Sequence, residues 1–321
     1  MASTSGSGLS TIKYGTTREN IVSLLVVTPQ GELVTTRSCV RKASTGYELT
    51  QLYIGAEGTL GIIVELVVRI HTIPLYQCGA LISFTNILDA TKTVVQVISR
   101  HLQSLIRCEL LNGLMVSATN VAYESQLPEI PSLFLEFRSN DKAQIDREIQ
   151  EFDNIAKMNS RIEFRVAKDD KEFENLWEAR RGCYWSALKY RKLEGDLVYI
   201  SDVCVPLSTL ADCIYSIEKD FMDAGFPCLI CAHIADGNFH CLIPYQPEER
   251  ERMKLLEEKV LYRVTGLGGS VSGEHGVGVG KMKYLVHEHG ENHLDVQRAI
   301  KKALDPNNIM NPQKIFTLSK L

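Results

Sequence analysis

Two histidines bracket a turn in the stretch HIADGNFH, residues 233 to 240, and Glu274 stands beside His275 in the later stretch SGEHGVGVGK. The dipeptide Asp236-Gly237 is a two-residue hairpin signal, because a type I′ turn needs positive φ at both central positions. Folding the chain there pairs Ala235 with Asn238, Ile234 with Phe239 and His233 with His240, which sets both imidazoles opposite each other on one face. Directly opposed Cβ atoms lie about 4.5–5.5 Å apart, close enough for two rings to share a cation. The adjacent side chains of Glu274 and His275 point in different directions, so one can bind a metal while the other reaches a substrate. Two imidazoles and one carboxylate make a three-ligand site with open positions, the pattern of a catalytic metal rather than a sealed structural one. The competing reading is two satisfied strand histidines and an exposed pair in a glycine-rich loop. That loop is not a phosphate-binding P-loop: His275 stands where Gly is required, and Met282 follows Lys281 where Ser or Thr is required.

The elements that must carry these groups are legible as alternating β-rich runs and amphipathic stretches. IVSLLVVTPQGELVTT reads as a hairpin around Pro29-Gln30-Gly31, and IGAEGTLGIIVELVVRIH as a glycine-studded turn entering a long strand. From about residue 80 strands alternate with helices: ALISF then 88–102, SLFLEF then 141–158, IEFRVA then 171–191. VYISDVCVP follows with a helix over 208–224, then LICAHI with FHCLIPY, then a helix over 247–264. This is an α+β layer with helices on a sheet. Helices and a proline-punctuated tail close the sequence.

Composition narrows the class. The 321 residues are 45% hydrophobic and 23% charged with a formal charge of −4, ordinary for a globular chain of about two domains. Mixed charge offers no basic face for nucleic acid or an anionic membrane. Nine cysteines, an odd number set mostly among apolar residues, read as buried thiols in a reducing compartment. The Cys228-x-x-Cys231 pair lies in the apolar run PCLICAHI and reads as strand packing rather than a zinc or redox motif. No apolar run reaches the roughly 18 residues of a transmembrane span, and MASTSGSGLS has neither a signal core nor an Arg-rich targeting helix.

Taken in order, GAEGTLGI, LWEAR, SDVCVP, HIADGNFH, SGEHGVGVGK and DPNNIMNPQKIF resemble the FAD-linked D-lactate dehydrogenases and glycolate oxidase subunits of the vanillyl-alcohol-oxidase type, over about residues 3–316. The resemblance implies the C-terminal part of a PCMH-type FAD-binding domain plus a ferredoxin-like α+β substrate cap domain. Residues 1–73 would be the second half of the FAD domain, with the first half missing upstream. Residues 74–285 would form the cap with the metal site, and 286–321 a helical segment returning to the FAD domain. It also implies His233, His240 and Glu274 as ligands of a divalent metal, Zn or Mn, with His275 as general base and Arg180 as clamp for the substrate carboxylate. Tyr14, Gly15, Gly55, Glu57, Gly58, Gly61, Ile62 and Asn311 would contact FAD. Arg181, beside Arg180, reads as a solvated helix charge. Ser201 stands where relatives acting on a second carboxylate carry Lys, which favours a monocarboxylate such as D-lactate.

The implied activity is oxidation of a D-2-hydroxy acid, D-lactate to pyruvate, by metal-assisted hydride transfer to FAD, with cytochrome c as an electron acceptor in mitochondria. Two other readings compete. A flavin-independent metallohydrolase would use the same ligands to activate water, and a truncated, non-catalytic fragment would keep the cap without a competent FAD site.

Overall fold

Apolar runs bounded by turn residues form the strands of a computed structural model that describes residues 1–191 and 193–318. The last three positions of the expected 286–321 segment lie outside the described residues. The chain divides into two compact units: Met1–Gly8 with Tyr14–Thr72 and the residues from Ser270 onward, and Leu9–Lys13 with Ile73–Gly269. The expected boundary at 285/286 therefore lies at 269/270 instead, and the loop carrying Glu274 and His275 belongs to the first unit. Its hydrogen bonds explain why: Ser7 Oγ donates to Glu274 Oε2 at 2.7 Å, and Val277 N–H donates to Glu57 Oε1 at 2.6 Å.

In the first unit, β1 (Ile21–Val27) pairs antiparallel with both β2 (Leu33–Thr35) and β3 (Ile62–Val68). The expected hairpin and long strand are both present. One face of β1 supplies Leu24 and Val26 to a core with Tyr53, Ile54 and Leu60, against which Ile300 and Leu304 pack. From the helix Glu291–Leu304, Lys301 reaches inward to Thr59 O and Met310 O, both at 2.7 Å, and to Asp305 Oδ2 at 2.5 Å. A buried ammonium persists only when so paired.

The second unit is built on an eight-stranded sheet, ordered β7-β4-β6-β5-β10-β11-β8 with β9 beside β11. Its strands are β4 (Tyr76–Phe84), β5 (Leu105–Leu111), β6 (Ser132–Ser139), β7 (Arg161–Val166), β8 (Leu197–Ile200), β9 (Val203–Cys204), β10 (Leu229–His233) and β11 (Asn238–Tyr245). Every pairing is antiparallel. The order β7-β4-β6-β5 is the ferredoxin-like 4-1-3-2 arrangement, with helices Ile87–Ile98 and Lys142–Met158 crossing between its strands. Period two divides the sheet's side chains between two layers. On one, Phe137 meets Phe152 of helix Lys142–Met158 edge-on at 6.3 Å. On the other, Leu81, Leu111 and Phe134 pack with Met115, Phe173 and Trp177 from helices Gly113–Tyr123 and Asp170–Arg181.

Three local features differ from the sequence reading. β5 and the helix Gly113–Tyr123 were not anticipated; LIRCELL is almost wholly buried, so it shows no period-two alternation. The helix expected over 171–191 is broken into Asp170–Arg181 and Cys183–Lys189, and the Tyr123 ring sits where a Cβ on Gly182 would lie. VYISDVCVP yields two strands, β8 and β9, separated by Ser201-Asp202.

Candidate functional site

β10 and β11 carry the two histidines, but not in the expected register. Cys231 pairs with His240, Ala232 with Phe239 and His233 with Asn238. The loop is therefore Ile234–Gly237, closed by Asp236 N–H donating to His233 O at 2.9 Å, rather than a two-residue turn at Asp236-Gly237. The cause is tertiary. Gly237 accepts from Val205 N–H at 3.0 Å, and a Cβ at 237, where φ is +80°, would lie 2.2 Å from Val205 O. That close approach, which Gly alone accommodates, fixes the turn one position earlier. A shift of two in pairing partner preserves the face, so His233 and His240 still share one side with Cys231. Their ring centroids lie 5.6 Å apart, edge to face.

Each imidazole is buried and oriented by an oxygen that can only accept. His233 Nδ1 lies 2.9 Å from Glu109 Oε1, and His240 Nδ1 lies 3.0 Å from Ser201 O. A carboxylate and a peptide carbonyl both require the proton on Nδ1, so that in the neutral ring Nε2 is the lone-pair nitrogen. Ser201 is also fixed, since its Oγ accepts Cys241 N–H at 2.8 Å. Asn238 donates to Asp202 Oδ1 and Val203 O, both at 3.0 Å, pinning the same segment. Two Nε2 donors on one buried face fit a borderline cation such as Zn, and would serve the harder Mn once oxygen ligands complete the set.

Arg180 lies on this side of the sheet, 7% exposed, and was expected as a carboxylate clamp. Its Nε and Nη2 donate to Glu109 Oε2 at 3.0 and 2.6 Å. Burial opposes the guanidinium's charge, but the Glu109 carboxylate beside it outweighs this and holds its pKa above the ordinary value. Arg181 is an exposed residue facing Glu174 at 3.3 Å, as a solvated charge should be. Sequence reasoning missed Glu109 altogether. The available signal was a lone acid inside LIRCELL, a strand-like run where an unpaired carboxylate would be costly. Cys231, read as packing, does pack but also shares the histidines' face. A hydrogen bond from the Cys183 thiol draws it below the usual thiol range, against burial, with Arg180 assisting. All nine cysteines are free thiols, six of them buried.

In the first unit, Glu274 and His275 occupy a loop held at both ends. Val277 and Gly278 donate their N–H groups to the two carboxylate oxygens of Glu57, at 2.6 and 2.8 Å, while Val271 N–H donates to Glu288 at 2.9 Å. The successive amides that might have cradled a phosphate are thus engaged by a carboxylate. Glu274 Oε1 lies 3.6 Å from His275 Nε2, and His275 is half exposed.

A cleft of about 480 Å³ lies in this unit. Gly55 and Glu57 line it, with Ser5, Arg18, Ser272 and Phe316 among its other walls. Polar donors beside apolar side chains suit an amphiphilic cofactor. Of the other residues expected at FAD, Asn311 Nδ2 donates to Glu57 O at 2.5 Å and lies beside Gly58. Tyr14 packs on His71, with ring centroids 4.4 Å apart. Gly15 precedes the capping box of Thr16 and Glu19, Gly61 backs onto Val26 and Tyr53, and Ile62 opens β3.

The family model described as FAD linked oxidases, C-terminal domain, matches residues 73–315, and the chain belongs to this family. It is 38% identical over 319 residues to an Arabidopsis thaliana protein named D-lactate dehydrogenase [cytochrome], mitochondrial, covering 98% of this chain and 56% of that one. A Saccharomyces cerevisiae protein, D-lactate dehydrogenase [cytochrome] 1, mitochondrial, is 36% identical over 97% of this chain and 54% of its own length. The chain thus spans little more than half of these curated relatives. Among solved structures, p-cresol methylhydroxylase with substrate bound superposes with a TM-score of 0.72 at 15% identity, over 94% of this chain and 66% of that one. At that identity the likeness concerns the fold alone.

Proposed function

We propose that this protein is part of an FAD-dependent dehydrogenase oxidising a D-2-hydroxy acid, D-lactate to pyruvate, with a cytochrome as electron acceptor and a mitochondrial location like that named for its relatives. The carrying observation is that His233 and His240 share one buried face with both Nδ1 atoms bound to acceptor oxygens, in a chain of the FAD-linked oxidase family. The relatives' names support D-lactate and the cytochrome, and Ser201 favours a substrate without a second carboxylate.

In this reading His233 and His240 hold a divalent cation through Nε2, and Glu274 is the third ligand implied by the resemblance. The chemistry such bound groups supply is hydride acceptance by the flavin and Lewis acidity by the cation. His275 takes the hydroxyl proton as general base, a role suited to an imidazole whose ordinary pKa of about 6.5 lies near neutral pH. Arg180, its charge held by Glu109, offers remaining N–H donors to the substrate carboxylate. The lining of the first unit's cleft fits part of a flavin nucleotide.

Metal analysis of the purified protein and its His240→Ala variant, together with D-lactate-dependent dye reduction in added FAD, tests this. The reading expects bound Zn or Mn to fall to a small fraction of the wild-type content, with dye reduction falling in parallel. Unchanged metal in the variant overturns the ligand assignment, and a wild type that reduces dye equally with D- and L-lactate overturns the substrate.

A further inference from the structure

Glu109 is 1% exposed and sits in the middle of the second unit's sheet. The β10–β5 register, Cys231 with Leu111 and Ala232 with Leu110, continues to bring Glu109 beside His233. Its two oxygens do separate jobs. Oε1 faces His233 Nδ1 at 2.9 Å, and Oε2 accepts from Arg180 Nε and Nη2 at 3.0 and 2.6 Å. A buried carboxylate is needed for Arg180 alone, since an unpaired guanidinium is costly there. The contact with His233 is not needed for that purpose. Hydrogen-bonded carboxylates behind a histidine are, however, the usual means of fixing which ring nitrogen faces a metal.

We infer that Glu109 is a positioning residue that sets the tautomer of His233 and the orientation of Arg180 together, so that one carboxylate serves both the metal-binding imidazole and the carboxylate-binding fork. The inference rests on the metal reading above for its consequence, but not for the tautomer itself. An acid is required because both neighbours donate. The amide of Gln has one accepting end, and its other end would meet either the guanidinium or the imidazole N–H with a like donor. In Glu109→Gln, with the amide oxygen kept on Arg180, His233 keeps its bond by moving its proton to Nε2, which removes the ligating lone pair; with the oxygen turned to His233, the amide N–H meets the guanidinium and Arg180 loses its acceptor.

The test uses the full chain. Imidazole ¹⁵N shifts in the metal-free wild type should show His233 protonated at Nδ1 and bare at Nε2. Zn²⁺ titration against a competing chelator should then show Glu109→Gln weakened by about 10- to 100-fold, the range seen when such outer partners are lost, with Glu109→Asp between it and wild type. Glu136→Gln is the structural control: Glu136 is likewise buried in this sheet and faces Arg107 at 2.9 Å. It should lower stability and leave Zn²⁺ affinity unchanged. A wild-type His233 carrying its proton on Nε2 overturns the inference even where no variant folds. So does a folded Glu109→Gln that binds Zn²⁺ as wild type does while His240→Ala does not. If His240→Ala binds Zn²⁺ undiminished, the metal reading is what fails, and the ¹⁵N result alone decides the role of Glu109.

Discussion

Gly278 donates its main-chain N–H to Glu57 Oε2 at 2.8 Å across 221 positions of sequence, and its neighbour Val277 donates to the other oxygen. One side chain therefore fixes the backbone that follows Glu274 and His275. Glu57→Ala should leave two amides without that acceptor and cost about 1–3 kcal/mol. Glu57→Gln, which retains one accepting oxygen, should cost less. Thermal unfolding measures the loss, and faster hydrogen exchange at Val277 and Gly278 localises it; unchanged exchange there would refute the anchoring role.

The adjacent pair should divide into binding and chemistry. Glu274→Gln is expected to release metal, whereas His275→Asn should keep it and slow turnover by about 10²–10⁴-fold, the usual cost of losing a general base. Metal content and single-turnover rates separate the two. Equal metal loss in both variants would show that their roles had been merged or exchanged.

The turn at Gly237 offers a test of tertiary against local strain. Gly237→Ala meets both a φ of +80° and the Val205 carbonyl, and should cost about 2–4 kcal/mol. Gly31→Ala has nearly the same φ, +81°, with nothing within 4 Å. Its cost should stay near about 1 kcal/mol. Urea midpoints for the two variants make the comparison, and equal losses would remove the collision from the account.

Alkaline pH should destabilise the second unit. Burial pushes the Cys213 thiol up to about 12 from its ordinary value of 9.0. Between those values the unfolded chain releases a proton that the folded chain keeps. The contribution is thus complete below the ordinary thiol value and is lost as pH rises toward 12, at about 1.4 kcal/mol per pH unit. Cys213→Ala should flatten the pH slope of unfolding free energy by that amount above pH 9.0. An unaltered slope would assign the effect elsewhere.

How far these features could be read beforehand depended on how local they are. The sharing of a face by His233 and His240 follows from period two and survives a shift of two in pairing partner. The turn type does not, because Val205, more than thirty residues away in the chain, decides it. Glu109 was invisible for a related reason. Acids are ordinarily surface residues, and its partners lie 71 and 124 positions away. Arg180 could be named from its motif, yet nothing in LWEARR announces that its charge is already countered within the fold.

β3 ends the first unit's three-stranded sheet as an edge, with Ile62, Val64, Leu66 and Val68 each more than two-fifths exposed. Along such a strand the amides facing β1 are locked in the ladder, while no strand among the described residues pairs with those turned outward. Deuterium uptake should therefore alternate, slow then fast, as a two-residue stripe in time over Glu65–Val68, with its phase broken at Val64, where the β1–β3 register slips. The stripe would act as a built-in gauge: any polypeptide that seats itself as the next strand must silence the fast positions, and would be recognised by the vanished alternation before its identity was known.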